Sequence, residues 1–213
     1  MTRKPRVSSA PVRHRSPFFL YGNTSEKDTE IIDAYLARLT KGAVVVNLGC
    51  GPNTQHELNN LACPLCQFHS KLILADLNTT GIEEESWVPG PEKVYPVTLN
   101  AAMATTVLGK ERADLILALG LFGDLHSTTT QEGTGKSAWP AVLRECLCLL
   151  KPLGALIVSN SCDRQPFEEF KAAAQQAGFM VTYHHVSPAL LGSVKPGEQR
   201  YLIVLQRPRS FSS

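Results

Sequence analysis

The stretch that most constrains this chain is residues 43–53, Ala-Val-Val-Val-Asn-Leu-Gly-Cys-Gly-Pro-Asn. An apolar run rich in β-branched residues, without alternation, is the pattern of a strand buried on both faces in a parallel sheet. It breaks off in Gly49 and Gly51, one residue apart. Glycine carries no Cβ, so the backbone can turn tightly there and a ligand can come close to its amides. The dinucleotide fingerprint needs a third glycine where Thr54 stands, and Pro52 removes one N–H from the loop. Nicotinamide and flavin enzymes are therefore disfavoured.

Further short apolar runs follow at Lys71–Asp76, Val94–Val97, Asp114–Leu119 and Gly154–Asn160. Helical patterns fill most of the gaps. Thr24 or Ser25 can cap a helix with Glu26, Asp28 and Glu30 in its first turn; Ile31, Ile32, Tyr35, Leu36 and Leu39 share a face, and Gly42 ends it. Other helices are predicted over residues 54–66, 102–108, 138–150 and 166–178, the last two stopped by Lys151-Pro152 and by Gly178. Residues 78–93, 120–135 and 187–200 read as loops from their Gly, Pro, Ser and Thr content. Strands alternating with helices predict a three-layer α/β/α sandwich. The last two strands, Phe179–Val186 and Tyr201–Gln206, have no helix between them. A parallel pair needs a crossover, so they should form an antiparallel hairpin.

Composition excludes some classes. With 43% hydrophobic residues among 213 the chain can bury a core, and its net charge of +2 demands no polyanionic partner. No apolar run reaches the ~18 residues of a membrane span. Residues 1–25 carry Arg3, Lys4, Arg6, Arg13 and Arg15 and no acid. This segment reads as a mobile basic tail, a contact arm for RNA or anionic lipid, or an organelle presequence, the last weakened by Pro5, Pro11 and Pro17. The six cysteines lack the framework spacing of a secreted mini-domain and fit reduced thiols in the cytoplasm. Cys63, Cys66 and His69 have zinc-like spacing but no second ligand pair, so no metal is assigned.

These motifs, in this order, resemble the class I S-adenosylmethionine (SAM)-dependent methyltransferases. Asn47-Leu48-Gly49-Cys50-Gly51-Pro52-Asn53 is similar to that family's first motif, acid-x-Gly-x-Gly-x-Gly. Asp76 stands where the family places the acid that grips the ribose hydroxyls. Asn100-Ala101 follows the third strand, where adenine is contacted, and Leu149-Leu150-Lys151-Pro152-Leu153-Gly154 resembles the stretch before the fifth strand. The resemblance covers about residues 24–207, leaving a lead-in of 1–23 and a tail of 208–213. It implies a seven-stranded, mostly parallel sheet with a C-terminal antiparallel hairpin. It also implies SAM as cofactor, held by Asn47, Gly49, Cys50, Gly51, Asn53, Asp76, Leu77, Asn100, Ala101 and Leu119. Two positions depart from the family. Asn47 replaces the usual acid and carries no charge beside the donor's amino group, and Asn53 replaces the last glycine.

A carboxylate at a strand's C-terminal end suits a bidentate bond to two adjacent hydroxyls, which supports Asp76 independently. Methyl transfer from a sulfonium needs alignment and exclusion of water, and a base only if the nucleophile is protonated. Asp124 and His126, in the loop after the fourth strand, are the candidate bases, and Tyr21, Phe122 and His126 the candidate substrate pocket. His184 and His185 are adjacent on a strand, so they face opposite sides. The expected activity is methyl transfer to an oxygen, nitrogen or carbon of a small molecule, with nucleic acid a less favoured partner and no membrane. The alternatives are an RNA or protein methyltransferase using the basic arm, and a non-catalytic partner protein of the same fold.

Overall fold

A computed structural model describes residues 26–50, 71–77, 79, 94–119, 121–122, 138–162, 164–188 and 199–210. The predicted helix over 54–66 and most of the three long loops lie outside them.

Seven strands form one sheet: β1 (Val44–Leu48), β2 (Lys71–Asp76), β3 (Val94–Thr98), β4 (Ala113–Leu119), β5 (Leu150–Cys162), β6 (Met180–Pro188) and β7 (Gln199–Gln206). Their spatial order is β3-β2-β1-β4-β5-β7-β6. β7 is antiparallel to both of its neighbours, and the β3-β2-β1-β4-β5 pairs are parallel. The hairpin therefore forms as expected, with its second strand placed inside the sheet and its first at the edge.

Helices cover both faces. On one lie α2 (Ala104–Leu108), α3 (Trp139–Leu149) and α4 (Arg164–Gln176). Leu143 and Leu147 of α3 and Phe170 of α4 pack there against Val46, Ile116 and Leu156 of the strands. On the other lies α1 (Glu26–Leu36), whose Ile32 and Leu36, one helical turn apart, meet Val45, Leu74, Leu117 and Val204. Full burial of each such side chain contributes about 1.5–3 kcal/mol. α1 stops at Leu36, earlier than Gly42 suggested. Its last turn tightens through Leu39 N–H to the Leu36 carbonyl (3.1 Å), and Gly42, at φ +82°, makes the turn into β1.

The join between α3 and β5 also differs from expectation. Lys151-Pro152 does not end the helix; Leu150 is already extended and paired with Ala113. A register shift follows before Leu115 pairs with Ala155. Within it Leu153 takes φ +66°, and a Cβ on Gly154 would come 2.9 Å from the Lys151 carbonyl. Buried Arg207 closes this corner, donating to the Leu150 carbonyl and to Glu111 Oε1. Asp114 Oδ2 accepts from the Val44 N–H (2.8 Å) and from Lys151 Nζ (2.7 Å). These contacts lie at the N-terminal ends of β1 and β4, away from the glycine turn.

Candidate functional site

In an open α/β sheet ligands bind where the parallel strands end. The described site residues gather at that edge, across β4, β1, β2 and the start of the segment after β3. Asn47 pairs in register with Leu74 and Leu117. Strand alternation puts its side chain with Val45 on the face that α1 covers. It is 1% exposed, and its Nδ2 has no hydrogen-bond partner among the described residues. Burying such a donor unpaired costs about 1–3 kcal/mol.

Gly49 follows at φ +74°. Its N–H donates to the Ala75 carbonyl at 2.7 Å, and the Cys50 N–H reaches the same oxygen at 3.4 Å. A Cβ at Gly49 would stand 2.8 Å from Leu121 Cδ1. The glycine is thus required by the turn and by Leu121 packing over it. The expectation that its amide is open to a ligand is corrected, because Ala75 takes that amide. Cys50 is buried against the α1-side core.

Asp76 ends β2 on the same face as Leu74, and hence as Asn47, one strand over and two residues further on. Leu77 beside it is 71% exposed. The Asp76 carbonyl accepts from Leu99 N–H (2.8 Å), which fixes the next segment against the tip of β2. Asn100 is exposed and caps the short 3-10 turn Ala101–Met103, its Oδ1 accepting from Ala102 N–H at 2.9 Å. Behind that turn Glu145 Oε2 accepts from both the N–H and the hydroxyl of Thr105 (2.7 and 2.6 Å), tying α2 to α3. Leu119 is buried at the end of β4.

Phe122, expected to line the substrate pocket, is held in the core. It is fully buried, its ring 4.8 Å from that of Phe170, and its carbonyl accepts from the Trp139 indole N–H at 2.8 Å. Aromatic packing of this kind anchors the root of the segment after β4, which is helical at Leu121 and Phe122. Gly51, Asn53, Asp124, His126 and Tyr21 lie outside the described residues, as do Cys63, Cys66 and His69.

A second polar group occupies the other end of the edge. Leu119, Ser159, Leu202 and His185 form one row across β4, β5, β7 and β6. His185 Nδ1 lies 3.0 Å from Asp28 Oδ1 of α1, and Asp28 is 1% exposed. Burial, and then the Asp28 charge, raise the Tyr183 hydroxyl above its ordinary pKa. Arg200, two residues before Leu202 and on the same face, is 2% exposed. Its burial follows from its strand, which is buried on both faces from Tyr201 to Leu205; the Asp28–His185 pairing had no local signal. His184 faces the other side, 6.0 Å from the Phe167 ring between centroids. Cys146 is core, and burial pushes its thiol up to about 12, so it is no nucleophile.

No family model matches the sequence, and no curated protein matches it by sequence. Solved structures do match in three dimensions. The N-methyltransferase NodS from Bradyrhizobium japonicum, in complex with S-adenosyl-L-homocysteine, aligns over 92% of this chain and 94% of its own at 14% identity, with a TM-score of 0.59. The [4+2]-cyclase SpnF aligns over 85% and 81% at 13% identity, TM-score 0.61. The 16S rRNA (adenine(1408)-N(1))-methyltransferase from Catenulisporales acidiphilia, a point mutant with cosubstrate SAM, aligns over 87% and 93% at 14% identity, TM-score 0.56. The chain has the Rossmann-like fold of the class I SAM-dependent methyltransferases.

Proposed function

We propose that this chain is a SAM-dependent methyltransferase for a small-molecule acceptor, with the donor held at the ends of β1 and β2. The observation that carries the reading is the placement of Asn47 and Asp76 on one face of adjacent strand ends, with an unpaired buried donor on Asn47. The residues present fit the group. Asp76 is assigned the ribose hydroxyls, exposed Leu77 and the Asn100–Ala101 segment the adenine, and Asn47 the amino-acid end. Gly51 and Asn53 complete the loop in this assignment. Gly49, Cys50 and Leu119 are assigned the shaping of the site around these groups.

When bound, SAM supplies a methyl group already activated by the sulfonium charge. The protein's part is to align the acceptor and exclude water. For an acceptor protonated at working pH, His126, with Asp124, is assigned as the base; an imidazole can take a proton near neutral pH. Both follow closely on the Phe122 anchor in sequence. What supports a small acceptor is the buried polar set over β5, β7 and β6, namely Ser159, Arg200 and the Asp28–His185 pair. A few placed polar groups in an apolar wall are how compact ligands are oriented.

Calorimetric titration of SAM and S-adenosylhomocysteine tests the reading. Wild-type protein binds both, and Asp76→Ala weakens binding by about tenfold or more, from the loss of a charged hydrogen bond. Unchanged affinity in that variant removes the Asp76 assignment, and no binding by wild-type protein removes the methyltransferase reading. A second reading, another reaction class on the same sheet, draws on the cyclase of this fold and on the missing acid at Asn47. Transfer of labelled methyl from SAM to any acceptor in a panel of amines, hydroxyls and carbon acids decides against it. Loss of transfer to RNA on deleting residues 1–15, with steep salt dependence, would instead reassign the acceptor to nucleic acid.

A further inference from the structure

The parallel strands β2, β1, β4 and β5 all start at one end of the sheet, and antiparallel β7 finishes there. Cations crowd that end. Lys71 opens β2 beside Val44, and Lys41 lies in the turn before β1. Lys110 and Arg112 precede β4, and the Arg112 N–H donates to the Leu149 carbonyl at 2.8 Å. Arg38 follows α1, and Arg209 follows β7. All six are exposed, and no acid among the described residues pairs with any of them. The two acids set among these strand ends already hold cations: Asp114 has Lys151, and Glu111 has Arg207. Like charges gathered in this way raise a positive potential, which a partner of the opposite sign relieves.

An apolar side chain stands among them. Leu153 is 42% exposed in the bulge at the start of β5, next to exposed Pro152. It takes φ +66°, a conformation that suits glycine. Its N–H donates to the Arg207 carbonyl and its carbonyl accepts from Gln206 Nε2, each at 3.2 Å, which holds it there. A glycine would remove both the strain and the exposed apolar surface. Leucine adds nothing to phosphate contacts of the kind that grip a nucleic-acid backbone. An anionic bilayer uses both features: its headgroups attract the cations, and the boundary beneath them takes up the apolar tip. The cations also spread over an area rather than a line, from Arg38 after α1 on one face of the sheet to Lys110 after α2 on the other. We propose that this end of the sheet is a peripheral docking surface for an anionic lipid bilayer, with Leu153 entering the headgroup boundary among the basic side chains. The contact is a surface one, since no described helix is long and apolar enough to cross a membrane. It leaves the opposite strand ends, with Asn47 and Asp76, facing solution, and it does not depend on what binds there.

The test is flotation of the full chain with vesicles of three parts phosphatidylcholine to one part phosphatidylserine, against phosphatidylcholine alone. Wild-type protein binds the anionic vesicles and not the neutral ones, and more weakly as salt rises. Lys41→Ala, Lys71→Ala and Lys110→Ala combined weaken binding by about a hundredfold, at about fivefold for each basic residue near an anionic surface. Leu153→Gly weakens it by about threefold to fivefold, from the lost apolar burial. Its urea midpoint stays unchanged or rises, because glycine adopts φ +66° freely, so the variant is folded. A triple variant that binds like wild type puts the lipid contact elsewhere, such as the basic residues 1–25, and overturns the inference. Wild-type protein that ignores anionic vesicles overturns it as well. Preference for a random-sequence RNA duplex over vesicles, lost in the triple variant and kept in Leu153→Gly, overturns it in favour of nucleic acid.

Discussion

The Asp28 carboxylate of α1 meets Nδ1 of His185 in β6 at 3.0 Å, across 157 residues of sequence. The contact pins the first turn of α1 to the edge strand of the sheet, with Asp28 buried and about a quarter of the His185 side chain exposed. Asp28→Ala lowers stability by about 1.5–3 kcal/mol, the range for hydrogen bonds involving a charged group. Asp28→Asn keeps an acceptor for the imidazole and loses less. Urea unfolding of the two variants checks the order, and equal stability of Asp28→Ala and wild type would refute a structural role for the pair.

Gly49→Ala costs about 2–3 kcal/mol, because an L-residue must take φ +74° and its Cβ must enter the space of Leu121. Adding Leu121→Ala recovers only part of this. The Leu121 Cβ itself lies 2.9 Å from the new atom, and the backbone strain remains. Denaturant midpoints of the single and double variants measure both effects.

Arg207 donates to the Leu150 carbonyl and Glu111, and Arg207→Met leaves that carbonyl without its guanidinium partner in a buried corner. The expected loss is about 2–3 kcal/mol. Glu111→Gln costs well under ~1 kcal/mol, since the Glu111 side chain is 53% exposed and water screens the pair. A larger loss from Glu111→Gln than from Arg207→Met contradicts this assignment of the two roles.

Stability falls as the pH rises above 9. The buried Cys146 thiol stays protonated up to about 12, whereas in the unfolded chain it ionises near its ordinary 9.0. Between these values the folded state holds the extra proton, so each pH unit removes about 1.4 kcal/mol. Tyr183, also raised, acts in the same direction above its ordinary 10.0. Urea unfolding between pH 8 and pH 10.5 shows the decline, and Cys146→Ala flattens it while starting from a lower value. An unchanged slope in that variant removes Cys146 as the cause.

The centre of the sheet was legible because β1, β2 and β4 are short apolar runs whose ends are marked by charge or glycine. Lys71–Asp76 is found with the limits it was given. The limits at Gly42 and at Lys151-Pro152 misled because turn residues mark where a chain bends, not where hydrogen bonding stops. α1 ends on its own bonds before Gly42, and β5 starts before its proline. At the site, strand-end positions such as Asn47 and Asp76 follow from counting along the strands. What a residue touches across the fold does not. The contacts of Phe122 with Trp139 and Phe170 have no mark in its own segment. Gly49 looked open until Leu121 covered it. Asp28 and His185 carried no sign of each other.

The position of β7 has a consequence for how the protein is made. It is the last of the seven strands to leave the ribosome, yet it fills the gap between β5 and β6. Until Gln199–Gln206 emerges, the Ala155–Val158 stretch of β5 has an unpaired edge, and β6 has no strand beside it. A bare edge of this length and apolarity recruits strands from other chains. Premature termination before residue 199 would therefore release a chain prone to self-association rather than a smaller folded domain.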